Sequence, residues 1–473
     1  MKGRNILKFS LRGVAGLVAL LALLVALMLL LRPYWDLRGN FSPSFNFEQA
    51  GELFDRLEKD REGQKPYGAT LSEEDFLGRL EIEPAFPQYR GPQSQGRIEE
   101  TGLLTSWPKA GPPEVYRQPV GLGYAGLVVG GGLAFTIEQR RDSEVVVAYE
   151  FKTGTEVWTH AYPAAFVEQM GGDGPRASPT LDGARLYSLG AEGELICLSA
   201  ATGEVEWSRN ILTETKSRNL EWGMSGAPLI VDEKVIVTAS GLGGASAMAY
   251  DKSTGKPVWS SDLGQQAYAS LVLAELAGRP QLLDFAAHAL NGVDPETGTK
   301  LWSAEWTGSH NGINCAQPLL LGDDRVFISS GYGKGAAAFK IREVGGQWSA
   351  EQLWAQTTMK NKFNSSVLVD GHIYGFDEGI LACIDAETGE RVWKGGRYGH
   401  GQLLVLPDQD VLLVVSEKGE VALVAATPDG FTELARLPAI QGRTWNHPAL
   451  VGDVLLVRNS EETAAFRLAL ASE

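Results

Sequence analysis

Cysteine is nearly absent. Cys197, Cys315 and Cys383 are three isolated positions in 473 residues, which excludes a disulfide-dense scaffold. The six histidines, at 160, 288, 310, 372, 400 and 447, fall in no metal-ligand spacing, so no metal site is expected. There is no phosphate-cradling G-x-x-x-x-G-K-[ST] run. Gly331-Tyr332-Gly333-Lys334-Gly335 supplies glycines and a lysine without that spacing and reads as a hairpin. No nucleophile elbow is visible, and no catalytic residue is assigned. Basic charge is in short supply: 42 Lys and Arg face 58 Asp and Glu, a formal net charge of -16. A chain this acidic repels phosphate backbones, so nucleic acid is not an expected partner.

The basic residues are also unevenly placed. Lys2, Arg4, Lys8 and Arg12 are the only charges before Gly13, and no charged or polar side chain follows until Arg32. The run 13–31 is long enough to cross a hydrocarbon core of about 30 Å as a helix. No A-x-A cleavage pattern follows it, so an uncleaved anchor is expected rather than a signal peptide. The basic tail, residues 1–12, then stays in the cytoplasm, and everything beyond the span is exported from a single pass through the inner membrane. Tyr34 and Trp35 suit the outer interface. Residues 32–85 read as a short helical stalk. In it Phe47, Ala50, Leu53, Phe54 and Leu57 recur at helical spacing, and Ser72 with Asp75 forms a capping signal before Phe76. The apolar stripe is expected to pack on the domain that follows.

From residue 86 onward a repeat dominates. T-G-x-x-x-W occurs at Thr153 to Trp158, Thr202 to Trp207, Thr254 to Trp259, Thr297 to Trp302 and Thr388 to Trp393. Asp251, Asp294 and Asp385 stand at one offset before three of the turns. Aspartate opens such a turn by accepting backbone hydrogen bonds, glycine takes the left-handed conformation, and tryptophan falls on the outgoing strand with a face to bury. Weaker units place anchors at Tyr116, Trp354 and Leu434. The anchors recur at blade length for a four-stranded propeller sheet. After Leu434 three strand-like runs remain, while 113–120 is a lone strand at the other end. Pairing them completes an eighth blade and removes the free edges of the ring. An all-β, eight-bladed propeller of four-stranded blades is expected over 86–473, with seven blades as the alternative.

The D-x-x-T-G-x-x-x-W repeat resembles the tryptophan-docking motif of the pyrroloquinoline quinone (PQQ)-like β-propellers. That group includes the quinoprotein alcohol dehydrogenases and the outer-membrane-barrel assembly lipoprotein. Phe86-Pro87-Gln88-Tyr89-Arg90-Gly91-Pro92 resembles the opening of its bacterial membrane-anchored members. The resemblance implies the fold but not one activity, since the group holds enzymes and scaffolds alike. The dehydrogenases typically clasp the quinone between a tryptophan and a disulfide of adjacent cysteines, with calcium beside it. The three solitary cysteines do not supply that pair.

One constellation points to a site. Just before the innermost strand of each blade the chain crosses one rim of the central channel. Arg176, Trp222, Asn314, His400 and Trp445 are expected to converge there on a funnel: a guanidinium for an anion, two stacking faces and two polar readers. The rim as read holds no carboxylate. The leading expectation is a membrane-anchored, non-enzymatic scaffold or binding protein of the cell envelope. The alternatives are a PQQ-dependent oxidoreductase and a sensor taking a small ligand in the funnel.

Overall fold

The structure, a computed structural model, describes residues 50–65, 68, 71–99, 102–168 and 170–470, the backbone of two earlier strands, and Leu20 and Leu23. The expected anchor therefore lies outside the described residues except for those two helical leucines. Among the described residues no helix is long and apolar enough to cross a membrane. Within the segment expected to be helical stalk, Tyr34–Leu37 and Pro43–Asn46 pair as a small antiparallel hairpin, a β element that the helical spacing of 47–57 did not signal.

Eight four-stranded antiparallel sheets follow one another around an axis. Blades 1 to 7 span 128–163, 180–210, 229–261, 272–305, 319–356, 367–397 and 402–438. Blade 8 takes three strands from 449–467 and its fourth from Glu114–Pro119, which pairs with Glu462–Arg467. The eight-blade expectation and its closure across the termini are both met. The first strand of each blade is innermost: Val128–Gly130 lies beside Thr180–Asp182 on one side and Ala449–Val451 on the other. These strands are short, and Val128–Gly130 and Ala449–Val451 are apolar and fully buried because both of their faces are covered by neighbouring blades.

The repeat motif is an inter-blade joint. In each T-G turn the glycine has a positive φ, and a Cβ there would strike the ring of the preceding blade's outer strand. At Gly203 it would lie 2.5 Å from Trp158, at Gly255 2.6 Å from Trp207, and at Gly298 2.6 Å from Trp259. Only glycine leaves the ring a flat seat. The indole N–H then donates across the joint, from Trp158 to Ala200 O at 3.0 Å, Trp207 to Lys252 O at 3.0 Å and Trp259 to Pro295 O at 3.1 Å. The aspartates hold the turns open: Asp385 Oδ1 accepts from the amides of Glu387 and Thr388 at 3.0 and 2.8 Å, and these bonds help hold its carboxyl below the usual range although desolvation opposes them. At the seam Tyr116 takes the tryptophan's part, and a Cβ added at Gly154 would lie 2.6 Å from its ring.

Three joints depart from the rule, each for a visible reason. In blade 7 Asp429-Gly430 replaces Thr-Gly, nothing lies within 4 Å of a Cβ added at Gly430, and the Trp393 ring meets Phe431 edge-on at 6.0 Å while its indole still donates to Thr427 O at 2.8 Å. Blade 5 closes its outer hairpin with Gly345-Gly346 instead of Thr-Gly, so Trp302 has no seat ahead of it. Its indole instead lies over Gly292 in its own blade and donates to Gln281 Oε1 at 2.7 Å. Blade 8 has no turn at that place because its outer strand comes from elsewhere in the chain. The preceding outer strand accordingly has no ring. The register pairs Leu423 with Ala435 and skips Leu434, so the anchor expected at Leu434 belongs at Ala435. Leu434 is the bulged residue, as are Val115, Val258, Leu353 and Val392 in other blades. The bulge turns each of these aliphatic side chains outward, leaving it partly exposed.

The segments before the ring brace it. Helix α1, Ala50–Gly63, buries Leu53, Phe54 and Leu57, as the apolar stripe implied. Its Arg61 enters the seam between blades 8 and 1, bonding Pro119 O at 2.8 Å and Glu156 at 3.1 Å. Helix α2, Glu73–Ile82, starts at Ser72, whose hydroxyl accepts from Asp75 N at 3.1 Å. Its Phe76 is buried against Phe135 and Gly131.

Segment 86–98 then crosses one end of the channel. Phe86 and Val129 exchange two backbone bonds of 2.8 Å in blade 1, and Pro87 O accepts from Leu181 N at 2.8 Å in blade 2. Arg90 donates to Ser366 O at 2.7 Å in blade 6, and Gly96 O accepts from Val405 N at 2.8 Å in blade 7. Blades 2 and 6 face each other across the ring, so this segment is a plug. Arg90 is buried within it, its pKa pushed down to about 10 by desolvation.

Candidate ligand-binding site at the channel mouth

The end of the channel opposite the plug opens into a cavity of about 260 Å³. Its wall is built from the turns that lead into the inner strands. These turns need their own hydrogen bonds, and small polar side chains supply them between blades. Ser178 Oγ accepts from Gly126 N at 2.8 Å, Ser270 Oγ from Ala227 N at 3.0 Å, and Gln402 Nε2 donates to Phe363 O at 2.6 Å and Trp445 O at 2.8 Å. With the backbone so satisfied, larger side chains project into the space between.

Arg176, Trp222 and Trp445 line the cavity together, each from a different blade's approach. Arg176 stacks on Phe166 at 4.8 Å and on Tyr124 at 5.6 Å. It donates to the carbonyls of Gly172 and Gly174. Burial lowers its pKa from the ordinary value, which leaves it charged at neutral pH. Trp222 meets Tyr268 edge-on at 5.7 Å. Trp445 packs on Phe363 at 4.5 Å and Tyr124 at 5.3 Å, and its indole donates to Glu417 at 2.9 Å.

Asn314 and His400 are not in the wall. Asn314 is fully buried, donating to Ala286 O at 2.7 Å and accepting from Ser330 at 2.6 Å. It ties a turn to neighbouring strands, so no polar edge of it is left for the cavity. His400 is buried against Phe363 with ring centres 6.0 Å apart. Desolvation first, and Lys362 second, keep it neutral. Of the five side chains, the structure brings Arg176, Trp222 and Trp445 together at one cavity and leaves Asn314 and His400 outside its wall.

Other wall residues were not among the expected five. Tyr89 rises from the plug and meets His447 edge-on at 5.3 Å. Tyr332 comes from the blade 5 hairpin at a left-handed φ of 55° and stacks on His310 at 5.5 Å. Cys315 lies in the wall with its thiol pushed up to about 12 by burial, so it is neither a thiolate nor a nucleophile at neutral pH. His447 is pushed down to about 3, by desolvation first, and carries no charge there. Seven of the nineteen wall residues are thus Tyr, Trp or Phe.

The wall contains one arginine and no aspartate or glutamate. Glu168, Asp173 and Glu417 stand behind it: Glu168 accepts from Met170 N, Asp173 from Glu168 N, and Glu417 from Trp445. Among the described residues no group of three or more His, Cys, Asp or Glu side chains could hold a metal ion. The three cysteines are free thiols. The donor set does not fit PQQ with calcium, since no carboxylate faces the cavity and no second sulfhydryl stands beside Cys315.

The geometry defines a class: an eight-bladed propeller of tryptophan-docked repeats, plugged at one end and open at an aromatic cavity at the other. The chain belongs to the family of the outer membrane protein assembly factor BamB, whose pattern matches residues 141–395. BamB from Moraxella catarrhalis shares the fold with a TM-score of 0.53 at 13% identity, over 76% of this chain and all (100%) of that one. A computationally designed protein, Ika8, does so at 0.52 and 12% identity, over 74% and 99% of the two chains. Quinohemoprotein alcohol dehydrogenase ADH IIB from Pseudomonas putida is 32% identical over 122 residues, 24% of this chain and 17% of that protein. The match therefore spans about a sixth of that relative's length.

Proposed function

We propose that this chain is a non-enzymatic binding propeller of the cell envelope, tethered by residues 13–31 to the inner membrane with its blades on the outer side. In this role it holds envelope proteins together or holds one in place. The observation that carries the reading is the composition of the cavity wall. It has aromatic faces and one arginine, but no carboxylate to serve as base or metal ligand and no activated nucleophile. Membership in a family described as an assembly factor supports the same direction, as do the four basic residues ahead of an uncharged run.

Two measurements test it. Full-length protein extracted in mild detergent after cross-linking of intact cells should bring down envelope proteins, and protease added to spheroplasts should digest the blades. Addition of PQQ and calcium should give no bound quinone spectrum and no oxidation of primary alcohols with an artificial electron acceptor. Turnover in that assay, or blades protected in intact spheroplasts, would overturn the reading.

A further inference from the structure

We infer that the cavity at the channel mouth is a binding site for a small planar aromatic acid, one to three rings carrying a single carboxylate. This rests on the reading of the chain as a binding protein rather than an enzyme, and goes beyond it by naming a ligand class.

The argument has three parts. The first is size. A cavity of about 260 Å³ lies just below the range of about 300–1,000 Å³ in which small-molecule sites fall, which suits a compact ligand. The second is the surface. Trp222 and Trp445 stand on approaches three blades apart, Tyr268 and Phe363 beside them, with Tyr89 below on the plug. Flat faces at several angles accept a flat ring by offset or edge contact. The third is charge. Several aromatic faces near the mouth already hold the protein's own cations: Arg176 and Arg443 lie over Tyr124, and Lys362 over Tyr332. A cationic ligand would meet these like charges, and no wall carboxylate would receive it. An acid would meet Arg176, whose bonds to the carbonyls of Gly172 and Gly174 leave part of its five-donor fork for a carboxylate. The Trp222 indole N–H, which has no partner among the described residues, is a second donor at the same mouth. The guanidinium and the indole are donors, which favours a ligand with acceptors at that end of the mouth.

The test uses the full-length protein in detergent, with calorimetric titration of 2-naphthoate, 2-naphthylmethanol and 2-naphthylmethylamine, and of benzoate and indole-3-carboxylate. The expected result is binding of the acids, with 2-naphthoate at least about tenfold tighter than the alcohol, the margin of one hydrogen bond to a charged group. The amine should be weakest. Arg176→Gln should erase the acid-over-alcohol margin, while Phe363→Leu, which removes a face and no donor, should weaken acid and alcohol by the same factor. Because Arg176 also ties down Gly172 and Gly174, the comparison of the three naphthyl probes on the unaltered protein decides independently of any variant. Equal binding of acid and alcohol, preference for the amine, or no binding of any acid at millimolar concentration would overturn the proposal. Alcohol oxidation with PQQ and calcium would instead refute the non-enzymatic reading, so the two failures are distinguishable.

Discussion

Gly203→Ala isolates the inter-blade joint. Gly203 has φ +76°, and an added Cβ would come within 2.5 Å of the Trp158 ring. Gly183, in the same blade, has φ +55° and nothing within 4 Å of that position. Both substitutions place alanine in the left-handed region, at about 1–2 kcal/mol each. Only Gly203→Ala must also displace an indole. Overpacking costs about 1–3 kcal/mol, and a displaced Trp158 surrenders its bond to Ala200 O, about 1 kcal/mol more. The difference between the two variants should therefore be about 2–4 kcal/mol, read from urea denaturation midpoints of the purified protein. A second comparison sharpens it. In a Trp158→Ala background the clash is gone, and Gly203→Ala should fall to the cost of Gly183→Ala, giving a large coupling in the double-mutant cycle. If the two glycine variants agree within about 0.5 kcal/mol, or the cycle shows additivity, the seat is not what fixes the glycine.

Asp284 is buried among amides with no cation bonded to it among the described residues, accepting from Asn291 at 2.9 Å and Gln266 at 3.3 Å, and desolvation raises its pKa from 3.8 to about 6. The folded state thus holds a proton more readily than the unfolded one, so stability should fall as pH rises from 3.8 to about 6 and stay level above. Asp284→Asn should flatten that slope and add up to about 3 kcal/mol at pH 8, measured by denaturation across pH. Gln281→Leu would leave the Trp302 N–H buried without its acceptor and should cost about 1–3 kcal/mol, whereas the same change would be mild if Trp302 docked forward like its counterparts. Leu57→Ala removes a buried contact of α1 at the closing seam. It should cost about 2–5 kcal/mol and speed hydrogen exchange in the strand Glu114–Pro119 before that in the middle blades.

The joints were legible because each one needs two residue types at fixed spacing. Thr-Gly followed by Trp encodes a seat and the ring that fills the next seat, and the recurrence gave blade count and closure. The same logic was readable at the exceptions: no Thr-Gly precedes Trp354, and the missing seat is why Trp302 turns back. The bulge was not readable, since adjacent aliphatic and ring positions differ only in register, and so the spacing points to Leu434 where the fold uses Ala435. At the mouth, sequence position located the turns but not which side chains face the axis. Asn314 lies where a wall residue would, yet its amide is consumed by carbonyls of adjoining strands. Tyr89 was hidden for the opposite reason. It belongs to the plug, which reaches the axis through contacts with blades far from it in sequence. A Pro- and Gly-rich stretch that cannot continue as a strand was the available signal.

The Gln347–Gln356 strand does more than complete its own sheet. It lies along Lys300–Glu305 of blade 4, where tryptophan docking is missing, and the joint between blades 7 and 8 is held instead by Arg117, which bonds Ala439 O and Glu462. The ring is consequently two arcs of coupled blades, five running from 8 through 4 and three from 5 through 7, meeting at two hinges of different chemistry. Partial unfolding draws first on such boundaries. One of them carries His310 and Tyr332 on the cavity rim, so loosening of the ring at that hinge and entry of a molecule into the mouth would depend on the same contacts.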